Sequence, residues 1–433
     1  MTPTSRRCAR WAMWTDMEYP AGAKETSSPS SQPRGWSWPQ LLALAAALAV
    51  AAVTVVMNPQ FQHRPASGPV DMMPLLLGAK AIMAGLDPND PVVLEGLYRE
   101  STDITVRVHG FHNYYPPTAS LLMTPLSLLP YKLLVDLFYW GGMLALVGAA
   151  WFLARAGSSR GALAGVAGAL VVGSVFLQLR LARVALPMGQ VSPFVVLAAA
   201  IALWGLARGR GRWGLAAFAL GGAVKYFPLL LLPAALAGRR WRWLGAAVAL
   251  AATLVVFMWV WRDGTGGLMP KWIFGATRFV LDEPMMAWAH KGPPWLMWLW
   301  RGRVPGLGSL TLALVGVAAW RRAGTTLTTA CGGLMLAWGG ACMAGGHHYH
   351  ESIMILPALG FVLTWPAVRG PRLLQWLSAA TMLAALFVFN AYSRHVPVNP
   401  PHWLPLSYIT WLLCAVRWVW AYRWERIQAG RSS

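Results

Sequence analysis

Long apolar runs, separated by short arginine-rich or Pro/Gly-rich breaks, constrain this chain more than any other feature. They fall near 40–57, 133–154, 161–178, 191–206, 214–237, 243–261, 307–320, 327–346, 352–368, 373–391 and 403–421. A helix that crosses a bilayer needs about 20 mostly apolar residues, and lipid tolerates only structures that satisfy their own backbone groups. The runs therefore predict an all-α fold, a polytopic transmembrane helical bundle of about ten spans. Composition agrees: 57% of residues are hydrophobic and 12% charged, against about 25% charged in soluble domains. That argues against a soluble globular enzyme, and many of the 26 tryptophans are expected at the membrane interfaces.

The charge of +21 sorts by side. With the N-terminus in the cytoplasm, the loops predicted inside hold 21 of the 36 basic residues and four acids, a net of +17, and the outer side keeps +4. The positive-inside rule is obeyed, so most of the excess is an orientation signal and not an acidic partner's footprint. Residues 1–38, rich in Ser and Pro before the first run, are expected to be a disordered cytoplasmic tail. Residues 39–433 then form one transmembrane domain, with a long first extracytoplasmic loop at 58–132. The four cysteines form no CxxC pair and read as small buried hydrophobes.

The run 214–237 is flanked by Arg212 and Arg239 and carries Lys225 in its middle. A helical hairpin of two short halves, with Lys225 near its outer tip, reconciles the charges. Ionisable residues at membrane depth are functional candidates; the alternative is a lysine that snorkels to the outer interface. All nine histidines and eleven of the fifteen acids fall in or beside segments predicted outside, so the chemistry faces that side.

Four groups of residues stand out there. Asp71, in Pro69–Val70–Asp71–Met72–Met73, reads either as a helix N-cap or as a general base at the membrane surface. Tyr114 and Tyr115, before Pro116–Pro117, open the stretch 118–131, which is short for a span and suits an interfacial helix; the tyrosines alone read as belt anchors. Arg180 and Arg183 share one face of a helical turn and suit a phosphate, or serve as ordinary interface arginines, and Gln190 follows in Pro187–Met188–Gly189–Gln190. His347 and His348 begin His347–His348–Tyr349–His350–Glu351, which reads as a polar substrate-contacting rim, a metal site or interface decoration. No P-loop GxxxxGK[ST] occurs in the sequence, which removes the usual support for ATP-driven transport.

Asp71 followed by GLDPNDP, then NYYPPTASLLMTPLSLLP, then the stretch from Gly189 to Trp241 that begins GQVSPFVV, together resemble glycosyltransferase family 87 of the GT-C superfamily. The resemblance spans roughly residues 40–370 and is most specific from Gly189 to Trp241. The best-known members are polyprenyl-phosphate-mannose-dependent α-1,2-mannosyltransferases. The resemblance implies an enzyme of the cytoplasmic membrane that takes a sugar, mannose in those members, from a polyprenyl-phosphate donor on the extracytoplasmic side. It implies transfer to a glycolipid or polysaccharide with inversion and without metal or other cofactor. By position Asp71 matches the catalytic base, Arg180, Arg183 and Lys225 fall where such enzymes neutralise the donor phosphate, and Tyr114, Tyr115, Gln190, His347 and His348 are expected to contact substrate. Met343–Ala344–Gly345–Gly346 before the histidines departs from the family's pattern and leaves the acceptor open. Alternatives are a flippase or transporter of lipid-linked glycans, which would bury ionisable residues along a path through the bundle, and a GT-C enzyme using another sugar or a protein acceptor.

Overall fold

The computed structural model describes residues 38–57, 71–101, 117–157, 162–178, 185–207 and 211–225, with single positions 104, 113, 115, 249 and 427. Among them the structure is all-helical, with no strand. Tyr114, Arg180, Arg183, His347, His348, the N-terminal tail up to residue 37, the second half of the 214–237 hairpin and the six later apolar runs, apart from the single position 249, lie outside the described residues. The chain divides into two compact units, Met1–Ala43 and Leu44–Ser433, and every contact described below lies within the second.

The helices are α1 (Trp38–Met57), α2 (Met73–Met83), α3 (Pro91–Glu100), α4 (Pro117–Met123), α5 (Tyr131–Gly157), α6 (Ala162–Gln178), α7 (Ser192–Ala207) and α8 (Gly211–Val224). Four of the runs coincide with α1, α5, α6 and α7 to within a few residues, because each ends at the Pro, Gly or Arg breaks that stop a membrane helix. The stretch 118–131 differs from expectation: it is α4, a turn and a short 3-10 helix, Leu126–Leu128. Pro125 and Pro130 divide it, since each removes a backbone donor and disfavours helix in the residue before it.

Among the described residues, one helix is long and apolar enough to cross a membrane, Tyr131–Ala156 within α5. At 1.5 Å per residue it reaches about 39 Å. Its exposed face is Leu133, Leu137, Trp140, Leu144, Val147 and Trp151. A water-facing helix carries polar residues on that stripe, whereas an apolar one suits lipid. Arg155 lies over the Trp151 ring at 5.8 Å, a pairing suited to the interface where the helix ends.

Three contacts orient the bundle. Phe138 meets Phe194 edge to face at 5.9 Å, Gly148 lies against Leu197, and Phe152 meets Trp204 at 5.2 Å. The rising numbers on both helices show that α5 and α7 run parallel. Gly142 allows the close approach: a Cβ there would come within 2.7 Å of Leu186 Cδ2, and small residues are what let membrane helices pack closely. The helix α8 packs on α7 and returns antiparallel, for Lys225 just past its C-terminus reaches Ser192 at the start of α7. One end of the bundle thus carries Arg155 and Arg212, and the other gathers the start of α7 and the end of α8.

At this second end α2, α3 and α4 form a packed layer. Eight of the eleven residues of α2 are buried, so it is an interior helix and not one lying on a surface. Its core joins Met72, Met73, Leu76, Met123, Leu134 and Val191, which seats the first loop on α5 and α7. The helix α3 buries Leu94 and exposes its charged side, with Asp90 capping its start through Val92 N–H at 2.9 Å, as short acids at such positions do.

Candidate active site

Gly189 makes the turn that delivers the first functional side chain. Its φ is +68°, a left-handed conformation that glycine adopts without a Cβ penalty. Its N–H donates to Leu186 O at 3.1 Å, Gln190 N–H donates to Ala185 O at 3.1 Å, and Met188 O accepts the backbone N–H of Asp71 at 2.9 Å. The main chain itself therefore clamps Asp71 beside Gln190, across 119 residues of sequence.

Side chains complete the link. Gln190 Nε2 donates to Asp71 Oδ2 in a short hydrogen bond. A carboxylate only accepts, so the amide must turn its nitrogen to Asp71 and its oxygen away. That oxygen, Oε1, meets the Tyr115 hydroxyl and the Ser192 hydroxyl, each at 3.4 Å. Ser192 Oγ in turn accepts from Lys225 Nζ at 3.1 Å, and the ammonium stands 5.9 Å above the Tyr115 ring, within cation–π range. Gln190, Ser192 and Lys225 are 4%, 0% and 5% exposed, while Asp71 is half-buried.

Three of the alternative readings of the sequence are set aside here. Asp71 is no N-cap: the cap position of α2 is Met72, which makes no side-chain cap bond, and the Asp71 carboxylate turns to Gln190 instead. Lys225 does not snorkel: it is buried at the C-terminal end of α8, where the helix dipole favours a cation. Its N–H continues the helical ladder to Gly221 O at 2.9 Å. Tyr115 is likewise half-buried in the site and not a belt anchor.

Three supporting polar residues escaped the sequence reading. Asn113, 6% exposed, donates to Pro88 O at 3.1 Å and Ser120 Oγ at 2.9 Å, and accepts from Tyr115 N–H at 3.2 Å, so it fixes the segment that carries Tyr115. Gly78 makes room for it: a Cβ there would lie 2.7 Å from Asn113 Nδ2 and 2.6 Å from Ser120 Oγ. Thr118 Oγ1 donates to Ala223 O at 2.6 Å, satisfying a carbonyl at the end of α8 that the helix itself leaves over. The third is Ser192, whose only sequence signal is its place two residues after Gln190, just before Pro193.

The site thus joins a carboxylate, a neutral polar bridge and a buried cation at one end of a helical bundle, beside a helix whose exposed face is apolar. Among the described residues these features are those of an all-helical protein with one helix suited to a membrane. Residues 111–290 match the family model of glycosyltransferase family 87, which bears out the resemblance over that stretch and supports a glycosyltransferase. The match includes Tyr114, Tyr115, Arg180, Arg183, Gln190 and Lys225, whereas Asp71, His347 and His348 fall outside it. No curated protein and no solved structure matches the chain.

Proposed function

We propose that this protein is a multi-pass GT-C glycosyltransferase of the cytoplasmic membrane, with both termini cytoplasmic. It moves a sugar, mannose by family analogy, from a polyprenyl phosphate to a glycolipid or polysaccharide acceptor. The observation that carries the reading is the joining of Asp71 to buried Lys225 through Gln190 and Ser192. Group transfer from a phosphate needs a base for the incoming hydroxyl and cations for the outgoing phosphate, and both are present in one cluster. Position supports an extracytoplasmic site, since the cluster lies at the end of the bundle remote from Arg155 and Arg212, arginines that the positive-inside rule assigns to the cytoplasm.

In this mechanism the acceptor hydroxyl gives its proton to Asp71 as its oxygen bonds to the anomeric carbon. The bond from that carbon to the phosphate oxygen breaks, and its electron pair leaves with the polyprenyl phosphate. Attack opposite the leaving group inverts the anomeric carbon. Lys225, with Arg180 and Arg183, neutralises the phosphate, and Tyr114, Tyr115, His347 and His348 border the sugar and acceptor. Cations suffice to stabilise a leaving group that is already anionic, so the step is metal-independent.

The test is Asp71→Asn in membranes supplied with labelled polyprenyl-phosphate mannose. Loss of the base lowers transfer by about 10²- to 10⁴-fold. Transfer at the wild-type rate would sink the assignment of Asp71.

A further inference from the structure

Every hydrogen bond between Lys225 and Asp71 points the same way. The ammonium donates to Ser192 Oγ at 3.1 Å, which commits the oxygen of that hydroxyl and leaves its proton for Gln190 Oε1 at 3.4 Å. The amide then donates from Nε2 to Asp71 Oδ2. Donors aligned head to tail polarise one another, so positive charge on Lys225 favours negative charge on Asp71. The Gln190 oxygen is shared by two hydroxyls, Tyr115 and Ser192, its nitrogen holds Asp71, and the side chain is 4% exposed. Both ends of the amide are thus engaged within the protein.

We infer that Gln190 is a positioning residue for Asp71 rather than a substrate contact, and that Ser192 completes a relay which ties the state of Asp71 to the charge on Lys225. This rests on the reading of Asp71 as the base. Among the described residues, the ionisable groups at the relay are Asp71 from the turn before α2, Tyr115 from the segment before α4, and Lys225 from the end of α8. The helix α7 contributes only the neutral Ser192, just after Gln190 in the preceding turn.

The full-length protein in membranes provides the test, with polyprenyl-phosphate mannose as the probe. Gln190→Leu keeps the volume and removes both ends of the bridge; kcat falls about 10- to 100-fold, the range for a misplaced catalytic group, while KM for the donor stays within about twofold. Ser192→Ala, which leaves the Tyr115 hydroxyl on the amide, gives a smaller loss of kcat. Gln190→Glu is isosteric and sets a second carboxyl against Asp71. Two carboxyls in contact share a proton, so the acidic limb of the rate profile moves to higher pH by about one unit or more.

A raised KM at unchanged kcat in Gln190→Leu makes Gln190 a substrate contact and overturns the inference, as does an unmoved acidic limb in Gln190→Glu. A thermal-unfolding cycle of Asp71→Asn, Gln190→Leu and the double variant reads the contact without turnover. Coupling between the two changes supports the relay, and strict additivity refutes it. Where the wild-type protein transfers nothing from this donor, the proposed reaction fails while the cycle still decides the relay.

Discussion

Replacing Lys225 with Met separates a functional lysine from a structural one. Met matches the length of the stem and removes the ammonium. On the stability side, the bond to Ser192 Oγ at 3.1 Å is lost, and a hydrogen bond from a charged donor contributes about 1.5–3 kcal/mol. Opposing this, the side chain is 5% exposed, and keeping an ammonium out of water costs several kcal/mol even after relaxation. The two nearly cancel, so Lys225→Met is expected to unfold within about 1 kcal/mol of the wild type. Transfer behaves differently. A cation placed where charge develops contributes about 2.7–4 kcal/mol to the transition state, so kcat/KM for the donor drops about 10²- to 10³-fold. The assay pairs thermal unfolding in detergent, followed by tryptophan fluorescence, with initial rates in membranes normalised to folded protein. A variant that unfolds several kcal/mol more easily and yet transfers normally per folded molecule shows that Lys225 is a structural tie, and the reasoning fails.

Two further substitutions probe the scaffold. Gly189→Ala puts a Cβ on a residue with φ of +68° and costs about 1–2 kcal/mol, read as a lowered melting temperature together with reduced transfer, because the turn carries Gln190 and accepts Asp71 N–H. An unchanged melting temperature means the turn is not built as described. Leu144→Asp changes a residue 72% exposed on α5. An aspartate at the centre of a spanning helix costs about 2.5–3.5 kcal/mol of insertion, so the membrane-integrated yield falls; equal yield shows that this face meets water.

The helices were readable because their cause is local. An apolar run of fixed length between Pro, Gly and Arg forms a helix whatever it later packs against, and α5, α6 and α7 lie where the runs do. Pro125 and Pro130 were in view as well, yet their effect depended on competition between one continuous helix and two short pieces, and tertiary contacts of α4 with α2 and α8 favoured the pieces. Asp71 and Lys225 were legible for a related reason, since charge in an apolar setting is costly enough to be conspicuous.

By itself, the sequence determined the helical class, the apolar runs, the side on which basic residues gather and the few polar groups able to carry chemistry. Only the tertiary structure decided how those groups are used. It turned Asp71 from a cap into a partner of Gln190, brought Lys225 inside to Ser192, and placed Asn113 and Thr118 under the site. The physical reason is that hydrogen bonds between residues 119, 105 or 33 positions apart exist only once helices have packed. Which end of an amide faces a carboxylate is set by geometry that no local pattern encodes.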